Sequence, residues 1–141
     1  MLSTDIFIQN LARKAGRVLK EHFGKAPVVR AKLNPTDVVT KADLAAERLI
    51  IRAIKQRFPK HGIVSEEAGN YQDKAEYVWY IDPLDGTFNF SKNTPLYATM
   101  IGLVFRRRPV LGAIYLPMFD SMYFAKKNQG AFLNGKRIHC S

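Results

Sequence analysis

Cysteine is nearly missing from this chain: among 141 residues only Cys140 carries a thiol, so no internal disulfide can form. A lone thiol suits a reducing compartment, and the expected location is the cytoplasm. Histidine is scarce too, and His22, His61 and His139 are too scattered to read as a zinc site. There is no G-x-S-x-G elbow and no G-x-x-x-x-G-K-S/T loop, which removes a triad hydrolase and a P-loop nucleotide binder from consideration. Long apolar runs are also lacking. The longest, Ala98 to Phe105 with Gly102 inside it, falls far short of the roughly 20 residues that a membrane span requires. The start, Met1-Leu2-Ser3-Thr4-Asp5, has no basic segment followed by an apolar one, so no secretory leader is expected. No internal repeat or low-complexity segment stands out.

Acidic residues are the minority charge, 12 Asp and Glu against 22 Lys and Arg, which leaves a formal net charge of +10. Such an excess points to nucleic acid, an acidic surface, an anionic substrate or an acidic partner. The positions of the charges narrow this. Arg106-Arg107-Arg108 precedes Pro109 between two apolar runs and reads as an exposed hairpin turn, while Lys126-Lys127 and Lys136-Arg137 also fall beside turn residues. No basic stripe interleaved with aromatics appears, so no nucleic-acid module is expected. An acidic portion outside these residues would explain the imbalance equally well.

Against these absences one run is rich in chemistry, Ile81-Asp82-Pro83-Leu84-Asp85-Gly86-Thr87. The apolar, aromatic segment Tyr77 to Ile81 before it reads as a buried strand that delivers Asp82 to its end, where Pro83 fixes φ and stops the pairing. Hard divalent cations such as Mg²⁺ take oxygen ligands and keep several waters, so a few carboxylates and substrate oxygens suffice to hold them. Asp82 and Asp85 suit that task. If a helix starts after Asp85, the N–H groups of Gly86 and Thr87 face outward at its first turn, where they suit a phosphate, and the missing Cβ of Gly86 permits close approach. Taken alone, a D-x-x-D-G run reads more often as an Asp-rich turn capping a short helix. The neighbouring runs decide between the two.

Those runs are Ser65-Glu66-Glu67-Ala68-Gly69 and, further upstream, Pro35-Thr36-Asp37-Val38-Val39-Thr40-Lys41-Ala42-Asp43. With Asp-Pro-Leu-Asp-Gly-Thr they resemble, in order and spacing, the inositol monophosphatase family, the lithium-sensitive, Mg²⁺-dependent phosphatases. The tail from Phe124 through Gly130-Ala131-Phe132-Leu133-Asn134-Gly135-Lys136-Arg137-Ile138 is also similar to the segment that follows in that family, so the resemblance spans nearly the whole chain. In the family a second half follows, with a Trp-Asp-x-Ala-x-Gly element whose Asp is a further metal ligand. The only tryptophan here is Trp79, followed by Tyr80, so these residues are expected to form the N-terminal half of such an enzyme.

The resemblance implies hydrolysis of a phosphate monoester, an inositol monophosphate or a related sugar or nucleotide phosphate, by a water activated by Mg²⁺, with Mn²⁺ a substitute. It implies that Glu66 and Asp82 hold one cation together with the Leu84 carbonyl, and that Asp82 and Asp85 hold a second. Glu66 and Thr87 would position the water, Asp43 would accept from Thr87, and the Gly86 and Thr87 amides would hold the phosphate beside Asp85. Lys32 would lie on a loop over the site. The alternative is a catalytically impaired relic that binds metal and acts as a scaffold. For Glu66-Glu67 the plain reading is a solvated acidic loop, and for Asp43 it is helix-start electrostatics.

The coarse pattern is α+β, one domain over residues 1–141. An amphipathic helix is predicted from about Thr4 to Phe23, with Phe7, Leu11, Ala15, Val18 and Leu19 at helical spacing and Gly24 as its stop. A loop with Pro27 and Pro35 follows. Thr40 then caps a second helix that carries Leu44, Ile50, Ile51, Ile54 and Phe58 and ends at Pro59. Beyond it, Ile63-Val64, Tyr77–Ile81, Tyr97–Phe105, Val110–Leu116 and Met122–Ala125 read as strands, and Asn134-Gly135 as a hairpin turn. Two helices on one face of an antiparallel meander are therefore expected, and the resemblance implies that they are the N-terminal part of an αβαβα sandwich. The strands are apolar on both faces while two helices cover one, so a homodimer or a complementing C-terminal half is the expected partner.

Overall fold

The structure is a computed structural model that describes residues 2–25, 28–31 and 38–141. The first helix, α1 (Thr4–His22), begins where Ser3 accepts a hydrogen bond from the Ile6 amide at 3.3 Å. Its buried stripe is Ile8, Leu11, Ala12, Ala15 and Leu19. Two short antiparallel strands, β1 (Val28–Ala31) and β2 (Val38–Thr40), occupy the stretch expected to be loop. Helix α2 (Lys41–Arg57) follows at once, with Thr40 and Asp43 closing a reciprocal capping box. Its buried side differs from the apolar one expected. Asp43 and Glu47 lie in it beside Ala42, Ala46, Ile50 and Ile54, whereas Leu44 is only half-buried.

The strands β3 (Gly62–Ser65), β4 (Gly69–Tyr71), β5 (Tyr77–Asp85), β6 (Ala98–Phe105), β7 (Arg108–Leu116), β8 (Ser121–Lys126), β9 (Gly130–Leu133) and β10 (Lys136–Ile138) form one sheet. Their spatial order is β10-β9-β8-β7-β6-β5-β3-β4. From β5 to β10 this is the antiparallel meander expected. The other end departs from it: β4 pairs with the outer side of β3, and the chain then crosses back so that β5 runs parallel to β3 on its inner side. A short helix, α3 (Thr87–Ser91), and a 3₁₀ turn at Pro117–Phe119 complete the elements.

Both long helices pack on one face, α1 across β6, β7 and β8, and α2 on β5. Between helices and sheet lie Ile8, Leu11, Leu19, Ile50, Ile54, Trp79, Ile101, Leu103 and Met122, the last filling its core position as an adaptable side chain does. The opposite face exposes apolar groups, with Tyr80 at 49%, Ile114 at 37% and Tyr123 at 38% of their full area. Register aligns Tyr80 with Gly102 and Gly102 with Gly112, and Met100 with Ile114, so a shallow groove floored by glycine crosses the middle of this face. Its volume is about 490 Å³, and it ends against Glu66 and Asp82. Among the described residues no helix is long and apolar enough to cross a membrane.

An aromatic wall closes the β3 side. The His61 ring is sandwiched between Phe58 at 4.7 Å and Tyr77 at 4.8 Å, and the Trp79 indole N–H donates to its Nδ1 at 3.0 Å. An indole only donates, so Nδ1 accepts and the imidazole is neutral with its hydrogen on Nε2. Burial also pushes the His61 pKa below the ordinary 6.5. The folded state therefore binds the proton less well than the unfolded chain does. Its contribution is complete above that ordinary value and is lost as pH falls from there through the lower folded value. Thermal melts from about pH 7 down to about pH 5 should show a fall in Tm that shrinks in His61→Asn. An equal fall in both proteins would remove His61 as its cause.

Candidate functional site

The parallel seam creates the site. Because β3 and β5 run the same way with Ser65 opposite Ile81, the next residues, Glu66 just past the end of β3 and Asp82 still within β5, stand side by side. The Glu66 amide bonds the Ile81 carbonyl at 3.4 Å across the same seam. In open sheets, ligands gather beyond the carboxyl ends of parallel strands for this reason. An antiparallel arrangement would have sent the two carboxylates to opposite ends of the sheet.

Pro83 does not stop the pairing, as the sequence suggested, but sits in a β-bulge. Asp82 faces Met100 and Asp85 faces Ala98, so three steps along β5 match two along β6. In a regular strand, residues an odd number apart point to opposite faces. The extra residue cancels that, and Asp82 and Asp85 share the face of Met100 and Ala98. The Thr99 hydroxyl, fully buried, holds the bulge by donating to the Pro83 carbonyl at 3.0 Å.

Glu66, Asp82 and Asp85 consequently sense one another. Burial, a hydrogen bond with Glu66 and the charges of Glu66 and Asp85 push the Asp82 carboxyl up to about 7. A carboxylate pair that shares a proton is a place where a cation can replace it. The buried Asp82 Oδ1 supports the same conclusion, since it has no hydrogen-bond partner among the described residues. Among the described residues no three His, Cys, Asp or Glu side chains cluster tightly enough to cage an ion by themselves. A hard divalent cation that keeps its waters needs fewer, and the donor set present, two touching carboxylates with a third acting through its charge, is of the oxygen type such a cation takes.

After the bulge the chain turns through Gly86 at φ +81, a left-handed conformation in which a Cβ would also come within 3.0 Å of the Leu96 carbonyl. Helix α3 starts at the next residue, as the sequence reading required. The Thr87 hydroxyl lies 3.1 Å from Asp43 Oδ1 and 3.0 Å from the Leu84 carbonyl oxygen, so its one hydrogen donates to either. Asp43 does two jobs with its two oxygens. Oδ2 accepts from the Thr40 amide at 2.9 Å and the Thr40 hydroxyl at 2.6 Å to cap α2, while Oδ1 faces Thr87. Burial raises its pKa against the lowering effect of those bonds. Lys32 lies outside the described residues.

Glu47 was not singled out from the sequence. It stands one helical turn after Asp43, an i,i+4 acidic pair on the inner side of α2, and that spacing was a readable signal.

A mixed sheet backed by two helices, with carboxylates gathered where its parallel seam ends, defines an α+β protein with an acidic site open to a cation. The sequence profile of the inositol monophosphatase family matches residues 2–141, and the chain belongs to that family. It is 43% identical over 128 residues to a fructose-1,6-bisphosphatase/inositol-1-monophosphatase of Aquifex aeolicus, covering 90% of this chain and 48% of the relative. Inositol monophosphatase 3 of Solanum lycopersicum is 40% identical over 134 residues, 92% of this chain and 50% of its own length. Among solved structures, the IMPase of Thermotoga maritima superposes with a TM-score of 0.90 at 35% identity, covering 96% of this chain and 53% of that one. The chain spans about half the length of the relatives it matches.

Proposed function

We propose that these residues form the metal-binding and water-positioning part of a phosphate-monoester hydrolase site. The observation that carries it is the parallel register of Ser65 with Ile81, which sets Glu66 against Asp82 and leaves Asp82 Oδ1 buried and unpaired. Glu66, Asp82, Asp85 and the Leu84 carbonyl would hold Mg²⁺, or Mn²⁺ in its place. When bound, the cation lowers the pKa of a ligated water and neutralises charge on phosphoryl oxygens. The protein's part is orientation. With its hydrogen donated to Asp43, the Thr87 hydroxyl presents lone pairs that accept from the attacking water, and Glu66 accepts from the same water's other side. Gly86 and Thr87 offer amides to the phosphate at the start of α3. Release of inorganic phosphate from an inositol monophosphate, with Mg²⁺ and with a chelator, tests the reading. Mg²⁺-dependent release is expected, slower than that of a full-length relative, and equal release with chelator would contradict it. Cation binding with no phosphate release would single out metal binding without turnover instead.

The same relationship bears on the open sheet face. We infer that the polypeptide corresponding to the rest of the relatives' length covers it, and that without such a cover the chain self-associates. Gly102 and Gly112 support this, because a Cβ on Gly112 would meet nothing within 4 Å and one on Gly102 only the Leu111 carbonyl at 3.8 Å. Their smallness serves no neighbour among the described residues. Light scattering at micromolar concentration should find dimers or larger species for the parent and a shift toward monomer for Gly112→Glu, with the helical signal unchanged. A parent that stays monomeric near 16.0 kDa and binds no apolar dye would contradict it.

A further inference from the structure

We propose that Glu47 is a positioning residue that fixes Glu66 in the site, a role that rests on the metal-binding reading above. Carboxylates are rarely buried without strong partners, yet Glu47 is only 4% exposed. Its Oε1 accepts from the Ser65 hydroxyl, from the Glu67 amide at 3.1 Å and from the Ala68 amide at 2.9 Å. All three donors flank Glu66, one before it and two after. At that point β3 has ended and the chain reverses into β4 through Gly69 at φ +80, so sheet pairing reaches the turn only at its two ends, Ser65 with Gly69, and at the Glu66 amide on the Ile81 carbonyl. The Glu67 and Ala68 amides are held instead by one carboxylate oxygen, which accepts several bonds at once.

The geometry gives the role a wider consequence. Asp43 and Glu47 are one turn apart on the buried side of α2, and the first reaches Thr87 while the second reaches the Glu66 turn. A single rigid helix thus sets the spacing between the two water-positioning groups. A carboxylate only accepts, which matches three converging donors; a carboxamide of the same shape loses the charge and carries donors of its own. Glu47→Gln therefore loosens the turn without opening a cavity.

The test uses the full chain and two readouts, amide hydrogen exchange and Mn²⁺ binding followed by the spin resonance of the free ion. In Glu47→Gln the Glu67 and Ala68 amides should exchange faster while those of the α2 cap do not, and Mn²⁺ should bind about 10- to 100-fold more weakly. Ser65→Ala removes one donor and leaves the carboxylate, so it should shift both readouts the same way by less, and it carries the test if Glu47→Gln fails to fold. Unchanged exchange at Glu67 and Ala68 overturns the proposal. Faster exchange with unchanged Mn²⁺ affinity overturns it too, provided Asp82→Asn abolishes binding, and leaves Glu47 a mere turn anchor. Failure of the parent chain to bind Mn²⁺ overturns the metal reading and this role together, with the exchange data still showing whether Glu47 holds the turn.

Discussion

Asp82→Asn is expected to abolish Mg²⁺ and Mn²⁺ binding in isothermal titration while leaving the metal-free protein at least as stable as the parent. Both halves come from one geometry. Asp82 is the carboxylate that touches Glu66 and lies within the field of Asp85, so it belongs to both proposed cation positions. Losing a residue that merely supports a ligand costs about 10- to 100-fold in affinity, and losing the shared ligand costs more. Asparagine also places a donor where the unpaired Oδ1 lies. Without metal, however, the fold crowds a half-buried carboxylate against like charges, a cost that the neutral amide removes. Lost binding with an equal or higher Tm identifies a site held for function at the expense of stability. Equal heats of binding in both proteins would remove Asp82 from it.

The second large effect is on folding. Trp79 is fully buried and packs against Phe7 at 5.9 Å and Phe58 at 5.5 Å, besides donating to His61. Removing so large a core side chain costs about 3–5 kcal/mol. That is a large share of the roughly 5–15 kcal/mol that holds a domain together. Trp79 also lies opposite Ile63 in the β3–β5 seam, two residues before the register that sets Glu66 beside Asp82. Trp79→Ala should therefore lower the urea midpoint sharply and weaken Mn²⁺ binding in whatever remains folded. A loss under about 1 kcal/mol would mean that the aromatic wall is not the keystone of the seam.

Much of this was legible in the sequence because it is local. Helical spacing and caps placed α1 and α2 within a residue or two, and Asn134-Gly135, at φ 48° and 81°, forms the tight hairpin its composition demands. Arg106 and Arg107 form the exposed turn expected, where Arg106 pairs with Glu76 at 2.6 Å. Of the motif residues, Thr87 is joined to Asp43 and Leu84 by hydrogen bonds, and Asp82 meets Glu66 and feels the charge of Asp85.

What stayed hidden is non-local. Nothing in the alternation of Gly62–Ser65 says whether its neighbour runs parallel, because period two is common to both arrangements. Strand β4 escaped notice since Gly69, Asn70 and Tyr71 are all exposed and show no apolar alternation. Pro83 reads as a strand end, and only the pairing on both sides of it shows an inserted residue that turns Asp85 to the face of Asp82. Glu47 drew no notice because its partners, the Ser65 hydroxyl and the Glu67 and Ala68 amides, are brought to it only by the fold.

The end of the β3–β5 seam is the proposed cation site. Crystals of the chain grown with Mn²⁺ and measured for anomalous scattering test it most directly. The predicted result is a peak about 2.1 Å from carboxylate oxygens of Glu66 and Asp82 and from the Leu84 carbonyl oxygen, the contact distance of a small hard cation. A saturated crystal with no peak there, or with its strongest peak on other groups, would contradict the account.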